Sequence, residues 1–404
     1  MDTRTNWSGN YSYRAARLAE PESIAELVSL VAGAPALKAL GTRHTFNDLA
    51  DTDGTQVSLA ALVEPPVIDG DTVTVSAGTR YGDVGRILQA AGRALHNMAS
   101  LPHISVAGAI ATATHGSGTA LGNLSTAVRS LEILRADGEL VSLDRSHPDF
   151  PGAVVGLGAL GVVTRVTLAT EPSYEVRQTV FNSLPWETIE QDFEPIMAAA
   201  YSVSLFTDWS TDGVQQVWAK SRLGAVESLA GRSPSAVKQH PILGAPAEFA
   251  TGQLGIAEPW NERLPHFKLE FEPSYGEEIQ TEYLLPIGSI VGAIEALLAL
   301  AHRFGHLLLV TEIRTIAADE LWMSTAYERD SVGIHFTWKR DQAGVESVLP
   351  LIEEALAPFD PRPHWGKLFT MKPTPPRLDD FRDLVERWDP RGVFRNANLR
   401  RLLD

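Results

Sequence analysis

Two loops rich in small residues constrain this chain more than any other feature of its sequence. The first, residues 41–48, reads Gly-Thr-Arg-His-Thr-Phe-Asn-Asp and follows a short apolar strand. The second covers residues 100–118 and has almost no bulk between Gly108 and Gly118. Glycines let a backbone approach a ligand closely and adopt positive φ, and successive free N–H groups form a site suited to a pyrophosphate. Together the loops predict a site for an extended dinucleotide, with His44 available for chemistry.

Further segments along almost the whole chain fit one known pattern. They are Asn6–Asn10, Asn97–Ser105, Leu160–Thr164, Ala200–Trp209, Glu312–Arg314, His335–Trp338 and His364–Lys367. With these segments and the two loops, the chain resembles the vanillyl-alcohol-oxidase-type FAD flavoproteins, and among them the alditol (xylitol) oxidases. The resemblance implies an α+β, two-domain FAD-binding fold of the vanillyl-alcohol-oxidase (PCMH) type with a substrate (cap) domain.

The same resemblance implies FAD as the cofactor, with a covalent bond from His44 to the flavin. In the family pattern a glycine is common at the position of Arg43, so this chain places a charge beside the phosphates or the flavin edge. The cofactor-binding residues that the resemblance implies are Gly41, Thr42, Arg43, His44, Thr45, Ser100, Ser105, Gly108, Thr112, Ala113, Thr114, His115, Val163 and His364.

Two apolar strands carry polar side chains on one face. Alternation places Val310, Glu312 and Arg314 together, and in the second strand it places His335 with Thr337. Such groups are costly inside apolar strands unless they are paired, so a structural Glu–Arg pair on a solvated face is one interpretation. The resemblance implies the other. In it, the substrate-binding residues are Ser100, Glu312, Arg314, Thr337 and Lys367, and the catalytic residues are Arg314, His335, Lys367 and Glu312.

The resemblance therefore implies an FAD-dependent oxidase that converts polyols such as xylitol and sorbitol to the aldose and reduces O2 to hydrogen peroxide. His335 is the preferred proton acceptor on pKa grounds, and a flavin-side or solvent route is the alternative. An aldonolactone oxidase or dehydrogenase of the same fold remains a rival, as does a dehydrogenase that reacts poorly with oxygen. A flavin-free carbohydrate-binding protein is the rival from a different class.

A chain of 404 residues suggests about two domains. We expect an FAD-binding domain over residues 1–172, a substrate-binding domain over 173–370, and a C-terminal segment, 371–404, that returns to the FAD domain. Periodicity predicts helices over 21–31, 81–91, 290–301, 348–356 and 381–388. It predicts strands over 71–77, 128–134, 140–143, 162–168, 307–314 and 332–338, with a hairpin turn at Asp137-Gly138.

Two other motifs have weaker interpretations. Residues 156–161 fit G-x-G-x-x-G, but an alternating strand follows where a nucleotide-binding helix would have to begin. His302 and His306 have the spacing of metal ligands on a helix, but Gly305 interrupts that helix and no glutamate adjoins His302. We therefore expect neither NAD binding nor a metal site.

Composition excludes several classes of function. The formal charge of −16 argues against nucleic acid, whose binding depends on Lys and Arg, and against anionic membranes. The absence of cysteine excludes disulfides, thiol catalysis and a cysteinyl flavin linkage. The N-terminus shows no apolar signal region, and residues 289–301 are too short to span a membrane. These features predict a cytoplasmic protein. The resemblance implies a polyol and O2 as partners, and we expect a monomer.

Overall fold

The computed structural model describes residues 4–209, 213–271 and 277–404. The strands up to residue 172 are Arg17–Ala19 (β1), Leu37–Leu40 (β2), Thr55–Ser58 (β3), Val67–Asp69 (β4), Thr72–Ser76 (β5), Arg93–Ala94 (β6), Val128–Leu134 (β7), Leu140–Asp144 (β8), Val162–Ala169 (β9) and Glu171–Pro172 (β10). The helices of this N-terminal unit are Ile24–Gly33 (α1), Tyr81–Ala90 (α2), Val106–Ala111 (α3) and Phe150–Val154 (α4).

A second unit follows. Its strands are Glu175–Pro185 (β11), Ser202–Thr207 (β12), Gly213–Ser221 (β13), Ala257–Pro259 (β14), Glu278–Pro286 (β15), Leu308–Ile316 (β16), Ser331–Lys339 (β17) and Arg362–Pro363 (β18). Its helices are Trp186–Met197 (α5), Trp260–Arg263 (α6), Ile290–Phe304 (α7) and Gln342–Leu356 (α8). Two further helices, Leu378–Trp388 (α9) and Ala397–Leu403 (α10), end the chain.

The N-terminal unit contains two main sheets. A parallel sheet has the order β1-β3-β2, and α1 makes the crossover between β1 and β2. Periodicity did not predict this parallel sheet, because strands of three or four residues are too short to show alternation. The antiparallel sheet has the order β4-β5-β9-β7-β8, and Gly138, with φ 87°, makes the expected turn between β7 and β8. Strand β9 begins directly after residues 156–161, so no helix opens at the glycine motif.

Helix ends follow local chemistry. The side chain of Ser23 accepts a hydrogen bond from the N–H of Glu26, so α1 begins at Ile24, three residues after the predicted start. Gly92, with φ 70°, follows the end of α2. Helix α8 begins six residues before its predicted start, because Asp341 caps it through the N–H of Gly344.

The second unit is built on an antiparallel sheet with the order β14-β11-β13-β12-β16-β17-β15-β18. Its two faces differ. Leu205, Ile313 and Ile334 lie on one face, within a buried apolar cluster that includes residues of α5, α7 and α8. On the other face, Glu312 lies opposite His335, and His335 lies opposite Glu282 on the next strand. A row of polar and charged side chains therefore crosses the centre of the sheet on the face away from these helices.

Helix α7 and the turn before it form a longer apolar segment than the sequence predicts. By length and composition, the segment Ile287–Phe304 is apolar enough to cross a membrane. The apolar segment predicted from the sequence, 289–301, is shorter. The structure adds the turn at Ile287–Ser289 and a last helical turn ending at Phe304. One side of α7, including Ile294 and Leu297, is fully buried in the core under the sheet.

The C-terminal segment packs on the N-terminal unit. Phe381 and Leu384 of α9 belong to the apolar cluster that contains Val128 and Val166. Beyond α9, the side-chain amide of Asn396 donates to three backbone carbonyls in the turn at residues 48–51, at 2.8–3.0 Å. Residues 378–403 therefore complete the core that carries the His44 loop.

Candidate active site

A cavity of about 270 Å³ lies between the N-terminal unit and the polar face of the large sheet. The two small-residue loops and residues 153–163 form one part of its wall, and strands β12 and β15–β17 form another. Every residue predicted to bind cofactor or substrate lines this cavity except Ala113. Ala113 is wholly buried with φ 52°, so its place is in the turn of the second loop behind the wall.

The two loops meet at Ser105. A Cβ added to Gly41 would lie 2.6 Å from the Ser105 Oγ, and one added to Gly108 would lie 2.9 Å from the same atom. A side chain at either position would require the Ser105 hydroxyl to move. Arg43 has φ 65°, a conformation that glycine adopts at no steric cost, which explains why glycine is common here in related loops. Backbone and small side chains thus form a narrow cradle that fits an extended dinucleotide such as FAD.

His44 stands on the wall of this cradle. Its ring stacks on Trp7, with centroids 5.2 Å apart and an interplanar angle of 22°. Its Nδ1 lies 3.1 Å from the Thr42 hydroxyl. Burial, reinforced by His103 and Lys367, lowers the pKa of His44 to about 3, although the ring keeps partial exposure toward the cavity. The imidazole is therefore neutral near pH 7, the form in which a ring nitrogen is nucleophilic.

The other end of the cradle is closed by residues 153–163. Gly161, with φ 152°, and Val163 line the cavity at the start of β9. The Lys38 ammonium, which also lines it, donates to the carbonyls of Leu157 and Gly158, each at 3.0 Å. Burial lowers the pKa of Lys38 to about 7. Sequence reasoning did not identify Lys38, because a single lysine in a four-residue strand gives no periodic signal.

Glu312 and Arg314 are buried, at 6% and 5% exposure, so the interpretation as a pair on a solvated face is wrong. The Arg314 guanidinium lies 3.4 Å from the Ser100 hydroxyl, and its Nε lies 3.7 Å from Glu312. Burial alone would raise the pKa of Glu312, but Arg314 and His266 outweigh it and lower that pKa below its usual value. Both charges therefore face the cavity in ionised form.

Glu282 is the centre of the cluster, and sequence reasoning missed it. Its carboxylate accepts from Arg314 Nη2 at 2.6 Å and from His335 Nδ1 at 3.2 Å, and His115 Nε2 lies 3.2 Å away. Burial would raise its pKa, yet Arg314, His115 and His335 together hold that pKa well below its usual value. In β15, the polar residues Glu278, Gln280 and Glu282 occupy every second position. The same alternation identified Glu312 and Arg314 in β16.

The position of Glu282 defines the tautomer of His335. An ionised carboxylate only accepts hydrogen bonds, so His335 carries its proton on Nδ1. Its Nε2 then carries a lone pair, which accepts a hydrogen bond from the Thr337 hydroxyl at 3.3 Å. Burial lowers the pKa of His335, against the opposing effect of Glu282. His335 is thus a neutral acceptor at the cavity wall.

Lys367 and His364 enter from the segment after β18. The Lys367 ammonium donates to Gln280 and lies 5.1 Å from the centre of the Phe46 ring. Burial lowers its pKa to about 8, so it remains mostly charged near pH 7. The His364 ring lies 6.0 Å from that of His115. The segment therefore brings a cation next to the His44 loop.

His302 and His306 do not line this cavity. Both are exposed, and α7 ends at Phe304 between them. Within residues 4–209, 213–271 and 277–404, no group of three or more His, Cys, Asp or Glu side chains could hold a metal ion.

The chain superposes on cholesterol oxidase from B. sterolicum with a TM-score of 0.77 at 16% identity, covering 99% of this chain and 96% of that one. Residues 15–144 match the family described as FAD binding domain, and residues 275–402 match the family described as D-arabinono-1,4-lactone oxidase. The protein is an FAD-dependent oxidoreductase with the vanillyl-alcohol-oxidase-type fold, and the predicted fold class is confirmed.

Full-length relatives narrow the class. The chain is 46% identical to an alditol oxidase of Streptomyces sp. (strain IKD472 / FERM P-14339), over 99% of each chain. It is 28% identical to an L-gulono-1,4-lactone dehydrogenase of Mycobacterium tuberculosis, over 99% of this chain and 98% of the relative. The chain belongs to the alditol oxidase family.

Proposed function

We propose that this enzyme oxidises polyols at a terminal CH–OH group. The observation that carries the proposal is the buried row of acceptor, cation and base formed by Glu312, Arg314 and His335 on one cavity wall. A polyol presents consecutive hydroxyls, each of which needs a donor and an acceptor. The alditol oxidase relative, at 46% identity, supports the same substrate class.

Each side chain of the row has a role that follows from its geometry. Glu312 accepts hydrogen bonds from substrate hydroxyls, and Lys367 and Ser100 donate to them. Arg314 stabilises the negative charge that develops on the reacting oxygen. His335 receives the hydroxyl proton on Nε2, because Glu282 already holds its Nδ1 proton.

FAD would lie along the cradle between the Gly41–Thr45 loop, the Ser105–Thr114 segment and residues 154–163. When bound, it would supply the two-electron acceptor that oxidation of a carbinol carbon requires, with O2 as the final oxidant and hydrogen peroxide as the product. Covalent attachment at His44 is part of the proposal. Its support is the neutral imidazole on the cradle wall, held by Trp7 and Thr42.

A lactone substrate is the second candidate, since residues 275–402 match a lactone oxidase family. The two are separated by the purified protein's visible spectrum and by peroxide release across xylitol, sorbitol, shorter alditols and an aldono-1,4-lactone. Peroxide from alditols, with little from the lactone, is expected. A yellow protein that oxidises only the lactone contradicts the polyol proposal, and reduction of a dye without peroxide indicates a dehydrogenase.

Monomeric state and a cytoplasmic location remain predictions from the sequence. Size-exclusion chromatography with light scattering tests the first, and fractionation of the source cells tests the second.

A further inference from the structure

A second buried row begins at the cavity wall, where Glu312 and His266 lie side by side, and ends at Lys220 behind it. The Nε2 of His266 lies 2.6 Å from Glu312 Oε1, and its Nδ1 lies 2.8 Å from the Lys220 ammonium. Lys220 is 1% exposed and His266 is 4% exposed. Lys220 comes from β13 and His266 from the loop after α6, so the row joins three separate parts of the second unit.

The end groups determine the direction of every hydrogen bond in this row. Burial lowers the pKa of Lys220 to about 7; in its charged form Lys220 only donates, and ionised Glu312 only accepts. His266 must therefore accept on Nδ1 and carry its proton on Nε2, which donates to Glu312. Both ring nitrogens are engaged, so neither has a free site for a substrate hydroxyl. Lys220 does not line the cavity.

Aromatic rings flank the row, and the Ser204 hydroxyl lies 3.5 Å from His266 Nε2. The His266 ring makes edge contacts with Phe206 and Trp218, at centroid distances of 5.6 and 5.3 Å. An ammonium among such groups is costly unless it is hydrogen-bonded. The Lys220 ammonium meets that need through His266 and the carbonyls of Leu264 and Pro265.

Glu312 is therefore held through one oxygen only. Its Oε1 receives His266 and faces Arg314, and among the described residues none donates to its Oε2. We propose that His266 and Lys220 are positioning residues that hold Glu312 in one orientation, with Oε2 directed to a single substrate hydroxyl. They thereby determine which hydroxyl of the polyol the enzyme requires. This inference rests on the proposed polyol oxidation.

The test compares a parent alditol with its monodeoxy analogues in the flavin-loaded enzyme. In the wild type, removal of the hydroxyl that meets Glu312 should lower kcat/KM strongly, since a site built for that hydroxyl is left unpaired. Lys220→Met and His266→Leu should lower kcat/KM on the parent by about 10- to 100-fold, mainly through KM. On that deoxy analogue they should change it less than about threefold, so the discrimination ratio collapses.

Three controls separate positioning from damage to the fold. His266→Gln keeps an N–H donor at the same reach and should restore most of the discrimination. Thr251→Val removes hydrogen bonds to the carbonyls of Pro265 and His266 without touching the His266 ring, and should keep the wild-type ratio. In a Glu312→Gln background, His266→Leu should add little to the loss, as expected for residues that act through one another. Flavin content and Tm are recorded for every variant.

Equal losses on the parent and the deoxy analogue in both Lys220→Met and His266→Leu would show a merely structural role and overturn the inference. So would additive losses in the Glu312→Gln background. If the wild type oxidises alditols but the variants keep its ratio of kcat/KM between parent and deoxy analogue, this inference fails and the proposed function stands. Failure of the wild type to oxidise any alditol defeats the proposed function, and this inference with it.

Discussion

Glu282 and His335 lie directly opposite each other on neighbouring strands, with His335 Nδ1 3.2 Å from Glu282 Oε2. The other oxygen of the same carboxylate receives Arg314 at 2.6 Å. One buried anion therefore sets both the tautomer of the proposed base and the position of the proposed alkoxide-binding cation.

Replacing Glu282 with glutamine should reduce kcat more than it changes KM. An amide can donate to His335 Nδ1, which places the imidazole proton on Nε2 and removes the base. The expected loss in kcat is about 100-fold or more, the range for a positioned general base. Steady-state kinetics across pH measure it. Glu353→Gln is the matched control, because Glu353 is a buried carboxylate that accepts from Tyr283 on the opposite face of the sheet. Equal effects of the two substitutions would count against a special role for Glu282.

His44→Ala should release the flavin from covalent attachment. The wild type is expected to stay yellow after acid precipitation and to fluoresce in a denaturing gel, whereas the variant's flavin should wash out. Turnover should slow without loss of the fold, since the cradle is built from backbone that the substitution leaves in place. A wild-type flavin that washes out on denaturation would show that the linkage does not exist.

Lys367→Ala should cost about 2–4 kcal/mol in kcat/KM, because it removes a charged hydrogen bond from a buried site.

Arg314→Ala should reduce kcat itself, if the cation acts on charge that develops in the transition state. Kinetics on xylitol and sorbitol, with flavin occupancy determined for each variant, measure both effects. Near-wild-type kcat/KM in both Lys367→Ala and Glu312→Gln would leave these residues as structural pairs only.

Phe381→Ala should weaken the N-terminal unit, although it lies about 340 positions after the His44 loop in the sequence. Phe381 is fully buried in the cluster with Val128 and Val166, and such a truncation typically costs about 3–5 kcal/mol. Flavin incorporation should fall together with Tm. Ile294→Ala, in the cluster on the other side of the large sheet, should lower Tm with a smaller effect on flavin content. If a destabilised Phe381→Ala protein kept its normal flavin content, the C-terminal segment would not support the cofactor site.

Stability should fall as the pH drops below the ordinary histidine pKa. Burial, with Lys220, lowers the pKa of His266 to about 4. Between about pH 6.5 and pH 4 the unfolded chain binds a proton there that the folded protein does not, so the free energy of unfolding rises with pH in this window, by about 1.4 kcal/mol per pH unit for one such histidine. Denaturation at several pH values measures the slope. His266→Gln should flatten it by about that amount, while Thr251→Val should leave it unchanged. An equal slope in both variants would assign the acid sensitivity to other groups.

Particular residues show how far sequence reasoning reached. Alternation placed Glu312 and Arg314 on one strand face, and the structure has them there, buried beside the cavity. The same alternation in Glu278–Glu282 did not predict a site residue, because nothing in the sequence indicated that this strand lies beside the other two. His266 gave no signal at all, since it lies in a loop without periodicity.

The sequence by itself determined the local features of this protein. Small residues set the close approach of the two loops, alternation set the two faces of the strands, and the family pattern identified the cofactor. The tertiary structure alone decided which strands are neighbours, that α9 and α10 close the first core, and that Lys220, His266 and Glu282 meet the predicted site. The physical reason is that periodicity records only which side of an element is buried. Strand order and the pairing of charges across β13, β15, β16 and β17 depend on contacts between residues up to about a hundred positions apart, which no local pattern encodes.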